Sequence, residues 1–209
     1  MVWSPKGGSG ASVVSAALAL EVARGDRSVL LVDLAGDQCR LLGLEATPGA
    51  GEWIASPDAP ADGLAALEVH VGPGLRVLPR GTAGPDDPVR RSLLLDLCAL
   101  RADRVIVDAG SVAVPWWSDD AASIAVVRSC YLGVRRLMEF GAAPDDVVLV
   151  EEPGRALGRR DVEGALGRPV HRLSWDPAVA RAVDAGVFAA RRPRSLRGLR
   201  PLASAIGER

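Results

Sequence analysis

Lysine is almost absent from this chain of 209 residues: its 25 basic side chains resolve into 24 arginines and the single Lys6. Cysteine and histidine are scarce too. Cys39, Cys98 and Cys130 have no CxxC spacing, and His70 and His171 are too few to build a zinc site or a catalytic triad, so a reducing, cytoplasmic setting is expected. No apolar run reaches the ~18 residues of a membrane span. Met1-Val2-Trp3 leads directly into a glycine loop, without the basic and apolar regions of a signal peptide, so neither secretion nor membrane insertion is expected. Nor is there an excess of one charge, because 26 acidic residues balance the bases to a net −1.

What is present is 48% hydrophobic and 24% charged, enough for one α/β domain and incompatible with a disordered or collagen-like chain. Short β-branched runs alternate with longer helical patterns, the signature of βαβ units and a mostly parallel central sheet flanked by helices in three layers. Strands are predicted at 2–4, 28–33, 75–79, 104–108, 123–127, 146–150 and 170–173. Helices are predicted at 11–24, 88–101, 132–141, 159–166 and 177–185. Val29 to Asp33 and Val105 to Asp108 are apolar up to their final carboxylates, as expected of central strands covered on both faces. Residues 46–74 read as a loop-rich excursion with a helix near Gly51 to Ala55 and a short strand at Glu68 to Val71. The domain is placed at 1–190, and 191–209 is read as a basic C-terminal tail.

The lone lysine lies in Ser4-Pro-Lys-Gly-Gly-Ser-Gly-Ala-Ser12, between a strand and a helix. Free N–H groups and the positive end of the helix converge there, which makes an anion site. Gly7, Gly8 and Gly10 allow the turn conformations and the close backbone approach that such a site needs. A compact ammonium fits a crowded phosphate loop where a planar guanidinium does not, so Lys6 marks a position at which arginine fails to substitute.

This stretch resembles the deviant Walker A motif KGGxGK[ST] of the ParA/MinD family of P-loop ATPases: Lys6-Gly-Gly-Ser-Gly-Ala-Ser12 agrees at six of seven positions. The resemblance extends over nearly the whole chain. Val32-Asp33 ends the second strand, Val105-Ile-Val-Asp108-Ala-Gly110 looks like the Walker B strand, and Trp175-Asp-Pro-Ala-Val179 matches the late proline-containing loop. It implies a dimerising P-loop fold that binds ATP or ADP with Mg2+ through Lys6, Gly7, Gly8, Ser9, Gly10, Ala11, Ser12 and Pro177. Lys6 would be the signature lysine that reaches the partner's phosphates. Ser12, Asp33 and Asp108 would serve the metal.

Three positions depart from that pattern. Ala11 stands where the Walker lysine neutralises phosphate charge, so the transition state loses its main stabiliser in cis and hydrolysis by the ordinary route is not expected. Asp33-Leu-Ala35 lacks the second carboxylate of Asp-x-Asp; Asp37, two residues on, either replaces it in positioning water or is a solvated loop acid. Glu151-Glu152-Pro153 stands where relatives place an adenine-reading asparagine; Glu152 can accept from an exocyclic amine, but adenine, guanine and no base remain open. The resemblance then implies a degenerate nucleotide-binding dimer that positions a chromosome, a division site or a pilus or secretion machine. The alternatives are an active ATPase using Lys6 and Asp37, and a nucleotide-free interaction scaffold.

Two surfaces complete the reading. Arg191, Arg192, Arg194, Arg197 and Arg200 are candidates for non-specific DNA contacts, or form a solvated terminus. Pro193 and Pro201 make this segment a poor membrane-targeting helix. Trp116 and Trp117 are either core residues or a protein-docking hot spot. Arg128-Ser-Cys-Tyr131 is unusual and is placed in a nucleotide-side loop.

Overall fold

Strand β1 (Val2–Ser4) feeds the glycine loop and helix α1 (Ala11–Val22); β2 (Val29–Asp33) follows, then the short α2 (Gln38–Leu42), α3 (Ala50–Ala55) and α4 (Leu64–Leu67). The chain continues through β3 (Val69–Gly72), β4 (Leu75–Leu78), α5 (Pro88–Ala99), β5 (Arg104–Ser111), β6 (Ile124–Arg128) and α6 (Tyr131–Met138). It ends with β7 (Asp146–Glu151), α7 (Arg159–Leu166), β8 (His171–Ser174), α8 (Pro177–Asp184), a 3-10 turn at Arg194–Leu199 and α9 (Arg200–Glu208). The computed structural model describes residues 1–25, 27–45, 47–82, 87–112, 121–141 and 143–208.

One eight-stranded sheet runs in the order β3-β4-β2-β5-β1-β6-β7-β8, parallel throughout except for the β3–β4 pair. Successive residues of β2 alternate between two cores, as a two-residue period requires. Val29 and Leu31 join α1, while Leu30 and Val32 join α3 and α5. α1 is apolar on almost every side because it is covered twice, by the sheet and by α9. On the opposite face Trp3, 1% exposed, stacks on Phe140 at 3.9 Å between ring centroids and donates to Ser123 Oγ at 2.8 Å.

The predicted strands and long helices are all present, with ends displaced by at most three residues. α2 and α4, each of five residues or fewer, are too short to show a helical period in sequence. The stretch read as a basic tail is built into the domain: Leu196, Leu199, Leu202 and Ala203 are buried against α1, and Arg192 and Arg200 reach Glu21 on that helix. Pro201 does not interrupt α9, because it lies in the first turn, where no intrahelical N–H is required.

Candidate functional site

The glycine loop leaves the middle of the sheet, since β1 is flanked by β5 and β6. Its shape is set by two buried hydroxyls, which both donate to the Lys6 carbonyl at 2.7 Å, Ser4 from the strand and Ser9 from the loop tip. Gly8 (φ 75°) and Gly10 (φ 99°) hold left-handed conformations that other residues rarely adopt. A Cβ built on Gly7, Gly8 or Gly10 would meet nothing within 4 Å, so the cradle is open over its whole length.

That cradle floors a cleft of about 630 Å³, lined by every residue from Lys6 to Ser12 together with Asp37, Arg40 and Arg80. The structure therefore brings Lys6, Ala11, Ser12 and Asp37 together in the lining of one cleft. Ala11 is buried, and its side chain ends at the methyl, where a lysine would extend. Asp37 is exposed at the N-cap of α2 without accepting a capping bond.

Two carboxylates lie beneath the floor. β2 and β5 pair in register from Val29↔Arg104 to Asp33↔Asp108, so the two acids at the end of this pairing become neighbours, each at most 1% exposed. Burial pushes the Asp108 carboxyl up to about 6, against hydrogen bonds from the Gln38 and Ser12 side chains, and nearby Asp33 adds to the rise. Burial likewise raises Asp33, whose oxygens accept the N–H groups of Gly36 at 2.6 Å and Gln38 at 3.0 Å. Asp108 Oδ1 also accepts the Gly110 N–H at 3.1 Å, so Gln38, Ser12 and Gly110 together hold this carboxyl at the edge of the glycine cradle. The Asp33 oxygens are already engaged by the turn.

The residue that sequence reading misses is Gln38. Fully buried, it donates through Nε2 to Ser12 O (2.9 Å), Ser15 Oγ (3.0 Å) and Asp108 Oδ2 (2.7 Å), joining cradle, helix and β5. No periodicity or charge singles out such a glutamine at the start of a five-residue helix.

Glu152 and Pro177 are not among the cleft-lining residues. Both oxygens of Glu152 are engaged, one by Arg128 and the other by Arg155 at 2.9 Å. Pro177 opens α8 behind Asp176, whose side chain accepts the Ala178 N–H at 2.8 Å. Arg191, Arg194, Arg197 and Arg200 are exposed, but Arg192 and Arg200 share Glu21 with Arg24. Trp116 and Trp117 lie outside the described residues. Among the described residues no helix is long and apolar enough to cross a membrane.

No protein-family model and no curated protein matches the chain. Solved structures do match. A ParA family ATPase from Chlorobium tepidum superposes with a TM-score of 0.79 at 22% identity, over 97% of each chain. MinD of the Aquifex aeolicus MinC:MinD complex gives 0.78 at 17%, over 99% of this chain and 93% of that one. An ATP complex of a point variant of Cyanothece McdA gives 0.65 at 14%, over 99% and 96%. The chain thus has the ParA/MinD-like P-loop fold.

Proposed function

We propose that the chain is a nucleotide-binding, hydrolysis-deficient protein of ParA/MinD type. It dimerises through the face that carries Lys6 and helps to position a cellular structure such as a chromosome, a division site or a pilus or secretion machine. One observation carries this reading: an open glycine cradle lies over the buried Asp33–Asp108 pair, with only the Ala11 methyl at the position where the resemblance expects the phosphate-neutralising lysine. Backbone N–H groups and Ser12 bind phosphates without that lysine, whereas rapid hydrolysis needs the positive charge where the transition state becomes more negative. Bound Mg2+, held at Ser12 and Asp108, would supply charge neutralisation of the phosphates.

The test is titration of the purified protein with ATP, ADP and GTP in magnesium, followed by light scattering, comparing wild type with Ala11→Lys. The lysine is expected to tighten binding about tenfold or more, in line with one charge-assisted hydrogen bond. Hydrolysis is expected to stay weak while Ala35 is unchanged. Equal binding by both proteins would remove Ala11 from the phosphate-contacting position.

A rival reading, an active ATPase, draws on Asp37 lining the same cleft as Lys6. It requires turnover by wild type that disappears in Lys6→Ala and in Asp37→Asn.

A further inference from the structure

We propose that Arg128, which stands beside this cleft and outside its lining, turns onto a bound phosphate and, with the lining cations Lys6, Arg40 and Arg80, makes up from the neighbouring strand the charge that the loop gives up at Ala11. The proposal rests on the nucleotide-binding reading above. β6 pairs directly with β1 through Val2↔Ile124 and Trp3↔Ala125, so the end of β6 emerges beside the cradle. Arg128 is the last residue of that strand. Its guanidinium crosses to the loop tip and donates to the Gly8 carbonyl at 3.3 Å, at a point where the space above the glycine is open.

The other arm of Arg128 meets Glu152 at the end of β7, and this pairing is replaceable. Glu152 also holds Arg155 at 2.9 Å, so the carboxylate keeps a partner when Arg128 turns away. Near the loop tip Arg128 and Arg155 share the one carboxylate of Glu152, which leaves positive charge that an anion can neutralise. The Cys130 thiol beside them reports the same field: the Gly133 N–H is the main cause holding it below its ordinary range, and Lys6 and Arg155 contribute. A planar fork can keep the Gly8 carbonyl on one N–H and give two others to phosphate oxygens, which a lysine at this distance could not do.

The experiment uses the full chain as wild type, Arg128→Gln, Ala11→Lys and the double variant, each titrated calorimetrically with MgADP and MgATP, with adenosine as the phosphate-free probe. Glutamine removes the charge and is too short to reach the Gly8 carbonyl, so a thermal melt of each variant is recorded beside its binding. Arg128→Gln is expected to weaken both nucleotides by about 10- to 100-fold and to leave adenosine unaffected. Ala11→Lys in that background is expected to restore most of the loss. Unchanged binding by Arg128→Gln overturns the assignment, as does a loss that Ala11→Lys fails to repair, because that pattern belongs to a structural stitch between Gly8 and Glu152. If Arg128→Gln does not fold, Arg128→Lys is read in its place, with a loss of about three- to tenfold expected from the missing second arm and no loss counting against the assignment. If neither wild type nor Ala11→Lys binds nucleotide, the underlying reading fails and this one falls with it; if wild type binds, only Arg128 is on trial.

Discussion

The side-chain nitrogen of Gln38 lies 2.7 Å from Asp108 Oδ2 and donates as well to Ser12 O and Ser15 Oγ, so two hydrogens serve three acceptors at the base of the cradle. Gln38 Oε1, in contrast, is buried without a partner. Removing the amide leaves a carboxylate oxygen, a carbonyl and a hydroxyl with one donor fewer in a dry site. Gln38→Ala is expected to cost about 1–3 kcal/mol, read as a lower urea midpoint at unchanged slope. Gln38→Glu should cost more at pH 7 than at pH 5, because it adds a third carboxylate beside Asp33 and Asp108. A neutral Gln38→Ala would show that the amide merely fills space.

Asp108 sets a pH dependence of definite sign. Its carboxyl titrates near 6 in the folded chain and near 3.8 when unfolded, so the native state binds the proton more tightly. The stability contributed by the protonated acid is fully present below about 3.8 and is lost as the pH rises through about 6, on the order of 3 kcal/mol at about 1.4 kcal/mol per pH unit. Asp33, also raised by burial, acts in the same direction. Denaturant titrations of the nucleotide-free protein should therefore give a higher midpoint at about pH 5 than at about pH 7.5; the opposite order would mean that the pair is not buried as described.

Gly43 closes α2 in a left-handed conformation (φ 72°), and a Cβ there would stand 2.3 Å from the Gly186 carbonyl oxygen, just beyond α8. Gly43→Ala is expected to cost at least about 2 kcal/mol from strain and overlap together. Since α2 begins with Gln38, the same substitution should also weaken nucleotide binding. A thermal melt that matches wild type would count against this packing of α2 on α8.

The C-terminal segment invites two contrasting substitutions. Leu202, on the buried side of α9, is 0% exposed, and Leu202→Ala is expected to cost about 2–4 kcal/mol. Glu21→Ala removes one carboxylate shared by Arg24, Arg192 and Arg200 and should cost less than about 1 kcal/mol, because these pairs are half exposed. If the remaining exposed arginines bind DNA, simultaneous Arg191→Ala, Arg194→Ala and Arg197→Ala should abolish salt-sensitive retardation of random duplex while leaving the melting temperature in place. Retained retardation would assign DNA contacts elsewhere.

Much of this architecture is legible in the residues themselves. Val29 to Asp33 and Val105 to Asp108 carry the central-strand pattern, and both end on Val-Asp, so their parallel pairing brings the two acids together in register. The glycine spacing after β1 likewise declares the cradle. What is not legible depends on chain segments that meet only in three dimensions. Gln38 acquires its role from Ser12 and from Asp108, 70 residues away. Arg128 is conspicuous in sequence, but its contact at Gly8 lies 120 residues distant. In the C-terminal stretch the arginines dominate the sequence pattern, whereas its place is decided by Leu196, Leu199 and Leu202, a three-residue spacing that turns one apolar side toward α1.

The position of β1 bears on how the molecule is made. This three-residue strand is the most N-terminal of the eight, yet its two neighbours are residues 104–111 and 124–128, and the Met1 amino group donates to Ala122 O at 2.7 Å. During synthesis the strand must wait until residue 128 has emerged before both flanks of its slot are complete, and pairings this distant in sequence form slowly. Ligand capture by a growing chain would thus mark the moment at which the middle of the sheet closes.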